Sequence, residues 1–482
     1  MIRTKIIATL GPASDSLEII GRLIDAGVDV FRLNFSHGTL EQHGQTLKRI
    51  RMVCRERDTL VAVMGDLCGP KIRVDDVENG AFEIAVGDHI DIVPEHVVGN
   101  ADRISTNRPQ LTREISVGQR ILIDDGLIRL RVEDARSDRL RCLCEVSGTI
   151  RTRKGLNLPD SDLAMSAITE KDKRDAAWAL EHGVDYMALS FVRTAEDLAE
   201  LRSLMRQAKA MCPIVAKIET PQAIDHLDSI VESADVVLVA RGDLGVEMDL
   251  ARLPLLQKDI ARRCQKAGKP VIIATQMLQS MVDNPTATRA EVSDVANAIL
   301  DSADCVMLSG ETSVGAYPVE SVRMLDRIAE QTEAYLASSG AFARMDADVT
   351  MNPLVTAVAH GASLLARELE ANLIAVWSES GYSVRLLSKC RLDRSVIGLS
   401  PDERACRQML LYYGVVPVCM PRPDEITSML RTVDDMLLDR ELAEEGDVMV
   451  VIAGEAVLKL GSTNALLIRL VRHTLEDAAS SR

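Results

Sequence analysis

The chain has 482 residues, 47% of them hydrophobic, with a net charge of −16 and ten cysteines. That length is too great for one ordinary core and calls for about two to four domains. The acidic balance and the absence of a strong basic block argue against nucleic acid as the main partner, but not against an anionic small molecule, which a local cluster of Arg and Lys can hold. The start, Met1-Ile-Arg-Thr-Lys-Ile-Ile, shows no apolar signal core, and no run approaches the length of a bilayer span. The cysteines are scattered, with Cys142 and Cys144 in strand alternation and no Cys-x-x-Cys pair, which fits a reduced chain better than a disulfide frame or a zinc site. The expectation is a soluble cytoplasmic protein with no membrane partner.

Apolar strand-like runs alternate with helix-like segments from the first residues. The patterning predicts strands over 5–10, 28–35 and 60–66, with helices over 17–26 and 40–57 between them. After an interruption it resumes with a helix over 170–182 and strands over 184–191, 214–219, 236–241, 271–276 and 305–309. Helices are expected over 195–210, 221–233, 253–267, 287–300 and 319–335, with Thr220 as an N-cap ahead of Pro221. Eight strand–helix units are the count that closes a (β/α)8 barrel; a doubly wound open sheet is the competing topology.

The interruption has short alternating runs over 88–93, 119–123, 127–132 and 139–146, separated by Gly and Asp turns, the pattern of a small all-β domain. On a loop at the catalytic end of a barrel it is placed to act as a lid. Beyond a polar linker ending at Asn352-Pro353, a second α/β pattern begins, with a helix over 354–370 and strands near 373–377, 395–399, 415–418 and 448–452. The expected organisation is therefore a discontinuous (β/α)8 TIM barrel (1–66 and 164–340), an inserted β lid after its third strand (67–163) and a C-terminal α/β domain (341–482) for regulation or assembly.

Each expected barrel strand terminates in polar or charged groups, which a purely structural barrel does not need. Thr9, Gly11 and Pro12 follow the first; Arg32, Asn34, Ser36 and His37 the second; Asp66 the third; and Ser190 the fourth. Lys217 and Glu219 end the fifth, Gly242 and Asp243 the sixth, Thr275 and Gln276 the seventh, and Ser309-Gly310-Glu311 the eighth. Strand residues two apart share a face, so Lys217 and Glu219 point the same way. Glu219 and Asp243 suit a hard divalent cation, and Mg²⁺ takes few protein carboxylates, leaving positions for water and substrate. Arg32 can grip phosphate or carboxylate with both ends of its guanidinium. Gly242 lets backbone approach an anion. Lys217 suits charge developing on an enolate or a transferring phosphoryl group. Thr275 can hydrogen-bond substrate or relay a proton through water. The bland readings, a strand-end Lys–Glu pair and a capping Thr, explain single positions but not the ring.

These residues also carry a resemblance. Thr4-Lys-Ile-Ile-Ala-Thr-Leu-Gly-Pro-Ala-Ser14, Phe31-Arg-Leu-Asn-Phe-Ser-His-Gly38, Lys154-Gly-Leu-Asn-Leu-Pro159, Ala216-Lys-Ile-Glu-Thr220, Arg241-Gly-Asp-Leu-Gly-Val-Glu247, Ala274-Thr-Gln-Met-Leu278 and Met307-Leu-Ser-Gly-Glu-Thr312 together resemble the pyruvate kinase family. The resemblance implies Mg²⁺-dependent (or Mn²⁺-dependent) phosphoryl transfer from phosphoenolpyruvate to ADP, giving pyruvate and ATP in glycolysis. By family position Lys217 stabilises the transition state, and Glu219 and Asp243 bind the metal. Arg32, Gly242, Asp243 and Thr275 hold phosphoenolpyruvate. Arg73 and Lys154, with His37 nearby, contact the nucleotide phosphates. The family also implies a homotetramer.

Two stretches depart from the family pattern. Members that need K⁺ carry Asp-Thr-Lys-Gly-Pro-Glu-Ile-Arg after the third strand, where this chain has Asp66-Leu67-Cys68-Gly69-Pro70-Lys71-Ile72-Arg73. The monovalent-cation positions Asn34, Ser36 and Asp66 remain, but Leu67 offers no side-chain oxygen, and Lys71 stands where the family has an acid. The expectation is that Lys71 neutralises Asp66 in place of K⁺, which the enzyme then does not require. In the C-terminal domain, Ser378, Ser380, Gly381 and Ser383 form a candidate effector loop, but Glu379 disfavours a sugar bisphosphate, so a monophosphate effector or none is expected. Two rivals remain: a Mg²⁺-dependent aldolase or lyase acting on pyruvate enolates, and a non-catalytic regulatory relative.

Overall fold

Val, Ile, Ala and Leu fill the strand runs because every strand is covered on both faces. The computed structural model describes residues 2–161, 166–339, 353–392, 394–422, 425–453 and 465–473. Eight parallel strands, Lys5–Thr9, Val30–Asn34, Ala62–Asp66, Tyr186–Leu189, Ile214–Ile218, Val236–Ala240, Val271–Ala274 and Cys305–Leu308, close into a barrel. The first strand pairs with both the second and the eighth, with Lys5 opposite Cys305, so the open-sheet alternative is excluded.

Alternation along each strand builds two apolar layers. Ile6, Ala8, Phe31, Leu33, Val63, Ile214, Ala216, Val237 and Val239 face the surrounding helices. Ile7, Val30, Met64, Ala188, Val215, Leu238, Ile272 and Met307 fill the interior. The helices begin on local hydroxyl caps: Ser16, Thr39, Thr169 and Thr288 each accept an amide in the first turn. The helix expected over 221–233 is instead two, Pro221–Asp225 and Leu227–Ser233, joined at His226, whose backbone (φ −107°, ψ 19°) leaves the helical region.

Between the third and fourth barrel strands the lid forms a seven-stranded sheet and a two-stranded ribbon around its own core, into which Cys142 and Cys144 point. It contains more strands than the alternating runs indicate. Ile72–Arg73, Arg103–Ser105 and Gly155–Asn157 have only two or three residues each, too few to show a period. Four strands of the C-terminal sheet lie where expected, parallel, in the order Val415–Cys419, Ser395–Ser400, Leu373–Trp377, Val448–Ala453. A fifth, Ala465–Leu470, adds antiparallel to the last; Arg469 and its half-exposed setting break the apolar run that would have marked it. The expected domain junctions at 163–164 and 340–341, and nearly all of the expected linker, lie outside the described residues.

The C-terminal domain closes the barrel end opposite the lid. Fully buried Asp185, ahead of the fourth strand, pairs with Arg51 at 2.9 Å and with Arg407 of the C-terminal domain at 2.8 Å. Asp304, ahead of the eighth, meets Lys389 at 2.5 Å and Arg391 at 3.2 Å, and also accepts the Val271 amide that opens the seventh strand.

Candidate active site

Five polar side chains stand one layer above the apolar interior. Thr9 follows Ile7, Arg32 follows Val30, Asp66 follows Met64, Ser190 follows Ala188 and Lys217 follows Val215, each two residues beyond an inward-facing neighbour. Arg32 donates from Nε to Asp66 Oδ2 at 2.6 Å and from Nη1 to Thr9 Oγ1 at 3.1 Å. Lys217 Nζ lies 2.9 Å from Glu219 Oε1 and 3.4 Å from Asp66 Oδ1, and donates to Ser190 Oγ at 2.7 Å. Glu219 Oε2 accepts the Phe191 amide at 2.8 Å. Asp66 and Glu219 are 1% exposed, Lys217 8% and Arg32 9%, so these charges act on each other with little screening.

The balance of terms differs at each group. Burial pushes the Asp66 carboxyl up, but Lys217 and Arg32 outweigh it and hold the group below its ordinary value. Burial disfavours the Lys217 ammonium, yet Asp66 and Glu219 overcome it and raise its proton affinity. Glu219 goes the other way: burial raises it, Lys217 opposes, and the charge of Asp243 adds to the rise. A buried carboxylate whose proton affinity a neighbouring carboxylate raises is relieved by a hard dication. Among the described residues no group of three or more His, Cys, Asp or Glu gathers at one point. Glu219, on which the Asp243 charge acts, fits an ion that takes two carboxylates and keeps its other positions for water and substrate.

Gly242 and Asp243 lie in the first turn of a short helix, Arg241–Glu247, directly after the sixth strand ends at Ala240. The Gly242 amide donates to Thr275 Oγ1 at 2.6 Å, and that hydroxyl donates to the Ala274 carbonyl at 2.6 Å. Thr275 and Gln276 both hold left-handed backbone, φ 69° and 53°. For a β-branched residue this costs on the order of 1–3 kcal/mol and persists only where the surroundings impose it. Arg241 does so: its guanidinium donates to the Thr275 carbonyl at 3.0 Å and the Ala274 carbonyl at 3.4 Å, and pairs with Asp294 at 2.7 Å. Composition alone gave Arg241 no role, because its partners come from three separate segments.

The second strand delivers Asn34 opposite Asp66 in register, and Asn34 Oδ1 accepts the Ser36 amide at 3.1 Å. Lys171 braces this end by donating to the Phe35 carbonyl at 2.6 Å, a contact the sequence did not signal. On the lid, Ile72–Arg73 pairs with Gly155–Asn157, which brings Arg73 beside Lys154. Arg73 donates to the Arg153 carbonyl at 3.1 Å, and Lys154 pairs with Asp124 at 2.8 Å. Burial, then the charges of Arg73, Arg32 and Lys71, lower the proton affinity of His37. Asn157 Nδ2 donates to Glu247 Oε1 at 2.8 Å, a lid-to-barrel bond across a cleft that Lys71, Phe191 and Thr220 also line.

The expectation that Lys71 neutralises Asp66 is corrected. Asp66 is paired twice over, by Arg32 and Lys217, because strand parity puts both in its layer. Lys71 instead packs on the lid, where a Cβ at Gly155 would lie 3.1 Å from its Cε and 3.8 Å from its Nζ. At the other end of the molecule, Ser378, Ser380, Gly381 and Ser383 span the turn from strand Leu373–Trp377 into helix Tyr382–Ser388, with Gly381 at φ 73°. Glu379 in this turn pairs with Arg422.

Fold and site together define a (β/α)8 enzyme with buried charges gathered at its strand ends, a β lid and a separate α/β domain. Residues 1–322 match the family model described as pyruvate kinase, barrel domain, and 356–469 that of the pyruvate kinase alpha/beta domain. The chain is 39% identical over 474 residues to a pyruvate kinase of Bacillus licheniformis, covering 98% of this chain and 81% of that one. It is likewise 39% identical over 476 residues to a pyruvate kinase of Staphylococcus aureus, with the same coverage. Among solved structures, a pyruvate kinase from Cryptosporidium parvum superposes with a TM-score of 0.92 at 32% identity, covering 98% of this chain and 96% of that one. The chain belongs to the pyruvate kinase family and is an enzyme of that class.

Proposed function

We propose that the protein transfers the phosphoryl group of phosphoenolpyruvate to ADP and that the enolate left behind is protonated to pyruvate, the closing step of glycolysis. The observation that carries this is the Lys217 ammonium held charged inside the barrel mouth by Glu219 and Asp66, beside Arg32. A fixed cation there offsets negative charge as the bridging oxygen takes it up, and it needs no reorganisation at the moment of reaction. Arg32, the Arg241–Glu247 turn with Gly242 and Asp243, and the Thr275 hydroxyl hold the substrate's phosphate and carboxylate. Thr275 also relays a proton through water toward the methylene carbon. Glu219 and Asp243 would hold Mg²⁺ (or Mn²⁺), which supplies charge neutralisation for the transferring group when bound. Arg73, Lys154 and His37 form the nucleotide side, and the Lys154–Asp124 pair opens for phosphate. Formation of pyruvate that requires phosphoenolpyruvate, ADP and Mg²⁺ together supports this; metal binding without turnover contradicts it.

K⁺ independence is the finer reading. Its support is that Leu67 offers no side-chain oxygen among the monovalent-cation positions, no longer a deficit at Asp66. Turnover unchanged by adding K⁺ at constant ionic strength supports it, and a many-fold rise overturns it. The Glu379–Arg422 pair already occupies the Ser378–Ser383 turn, which favours a monophosphate effector or none over a sugar bisphosphate. All ten cysteines are free, in keeping with a reducing, cytoplasmic compartment. No helix among the described residues is long and apolar enough to cross a membrane. A homotetramer is supported by exposed Leu354, Leu364 and Ile468 on the outer C-terminal domain.

A further inference from the structure

Ser190 joins the substrate pocket to the root of the lid. Its hydroxyl accepts from Lys217 Nζ at 2.7 Å and donates to the Leu67 carbonyl at 2.8 Å. A hydroxyl has one proton. Here that proton is committed to Leu67, so a lone pair faces the lysine. Ser190 is 4% exposed, which leaves little room for water to take its place.

Leu67 is the first residue past the third strand, where the chain leaves the barrel for the lid. The fourth strand grips its peptide at both ends: the Leu67 amide donates to the Ala188 carbonyl at 3.0 Å, while the Leu67 carbonyl takes the Ser190 proton. The chain then turns at Gly69, with φ 69°, where a Cβ would come within 2.9 Å of the Phe191 ring and 3.2 Å of Ser190 Cβ. The hinge therefore lies directly on the segment that holds Lys217. Of the three partners of the ammonium, Glu219 and Asp66 are carboxylates that fix its charge; the neutral Ser190 is the one whose own orientation depends on the lid.

We propose that Ser190 is a positioning residue for the transfer: it aims the Lys217 ammonium and ties that aim to the hinge peptide at Leu67. As the lid closes over a nucleotide, the direction of the Leu67 carbonyl sets where the Ser190 proton points, and so where its lone pair holds the lysine. This rests on the reading of Lys217 as the group that stabilises the transition state.

The test compares Ser190→Ala with the parent in two reactions: complete turnover with ADP, and nucleotide-free exchange of solvent deuterium into the pyruvate methyl group, in which the lid has nothing to close on. The expected result is a kcat lower by about 10–100-fold, as for a small misplacement of a reacting group, with KM for phosphoenolpyruvate little changed and a smaller loss in the exchange. A kcat within twofold of the parent overturns the proposal; so do equal losses in both reactions, the mark of a merely structural serine. Should Ser190→Ala not fold, Ser190→Cys keeps the side-chain size, weakens both hydrogen bonds and is held to the same ordering. A parent that forms no pyruvate fails the proposed function instead.

Discussion

Lys217 and His37 are each set by their neighbours more than by their own chemistry. Lys217→Asn keeps a polar group but removes the cation, leaving Asp66 with Arg32 alone and Glu219 with only the Phe191 amide. His37 titrates below its ordinary value because burial and three cations disfavour its protonated form. With the folded value depressed, the unfolded chain takes up the proton first, so His37 subtracts stability as pH falls through the ordinary imidazole range. A bound nucleotide phosphate offsets those cations, and the His37 imidazole is predicted to titrate higher in the complex. Proton NMR of the ring through a pH series checks this, and an unchanged or lower value would place the phosphates elsewhere. Asp66 is depressed as well, so its linkage has the same slope at lower pH. Its depressed value means that the stability it contributes is complete above the ordinary carboxylate range and is lost as pH falls through the folded value. Asp66→Asn is therefore predicted to flatten the acid limb of the stability profile, measured by denaturation from pH 6 downward; an unaltered limb counts against the pairing.

At the scale of elements, the ends of the barrel strands serve different purposes. The buried charge cluster sits where the strands finish, and the C-terminal domain is bolted on where they begin, through Asp185 and Asp304. Lys389 and Asp304 are both fully buried, so removing the acid leaves a cation without its counter-charge. Asp304→Asn is predicted to cost about 3–5 kcal/mol, read as a shift of the urea midpoint; a cost under about 1 kcal/mol would mean that the pair is dispensable. Little of this joint is legible in the sequence, because Lys389 and Arg391 meet Asp304 only through tertiary packing. The barrel strands are legible, since each is an apolar run with a polar or charged end. The short lid strands and the edge strand Ala465–Leu470 are not, because two residues have no period and an edge strand has one covered side. Among site residues, the strand-end ring reads directly from two-residue spacing. Arg241, Lys171 and the Asn157–Glu247 bond do not, since each acts on a carbonyl or side chain that the fold brings from elsewhere.

Taken whole, the molecule has a cluster of buried charges at one end of the barrel, on the side of the lid, and the C-terminal domain at the other end. Helix Pro353–Glu368 and the edge strand leave Leu354 58%, Leu364 59% and Ile468 55% exposed. Light scattering is predicted to give a particle of four 52.7 kDa chains, and a monomer at micromolar concentration would contradict it. The most direct test of the central claim is pyruvate formation from phosphoenolpyruvate, ADP and Mg²⁺ by the parent and by Lys217→Met, with metal binding measured alongside. The parent is predicted to be active, and the variant still to bind the metal but to lose kcat by about 10²–10³-fold. A Lys217→Met variant that keeps the parent's kcat would contradict it.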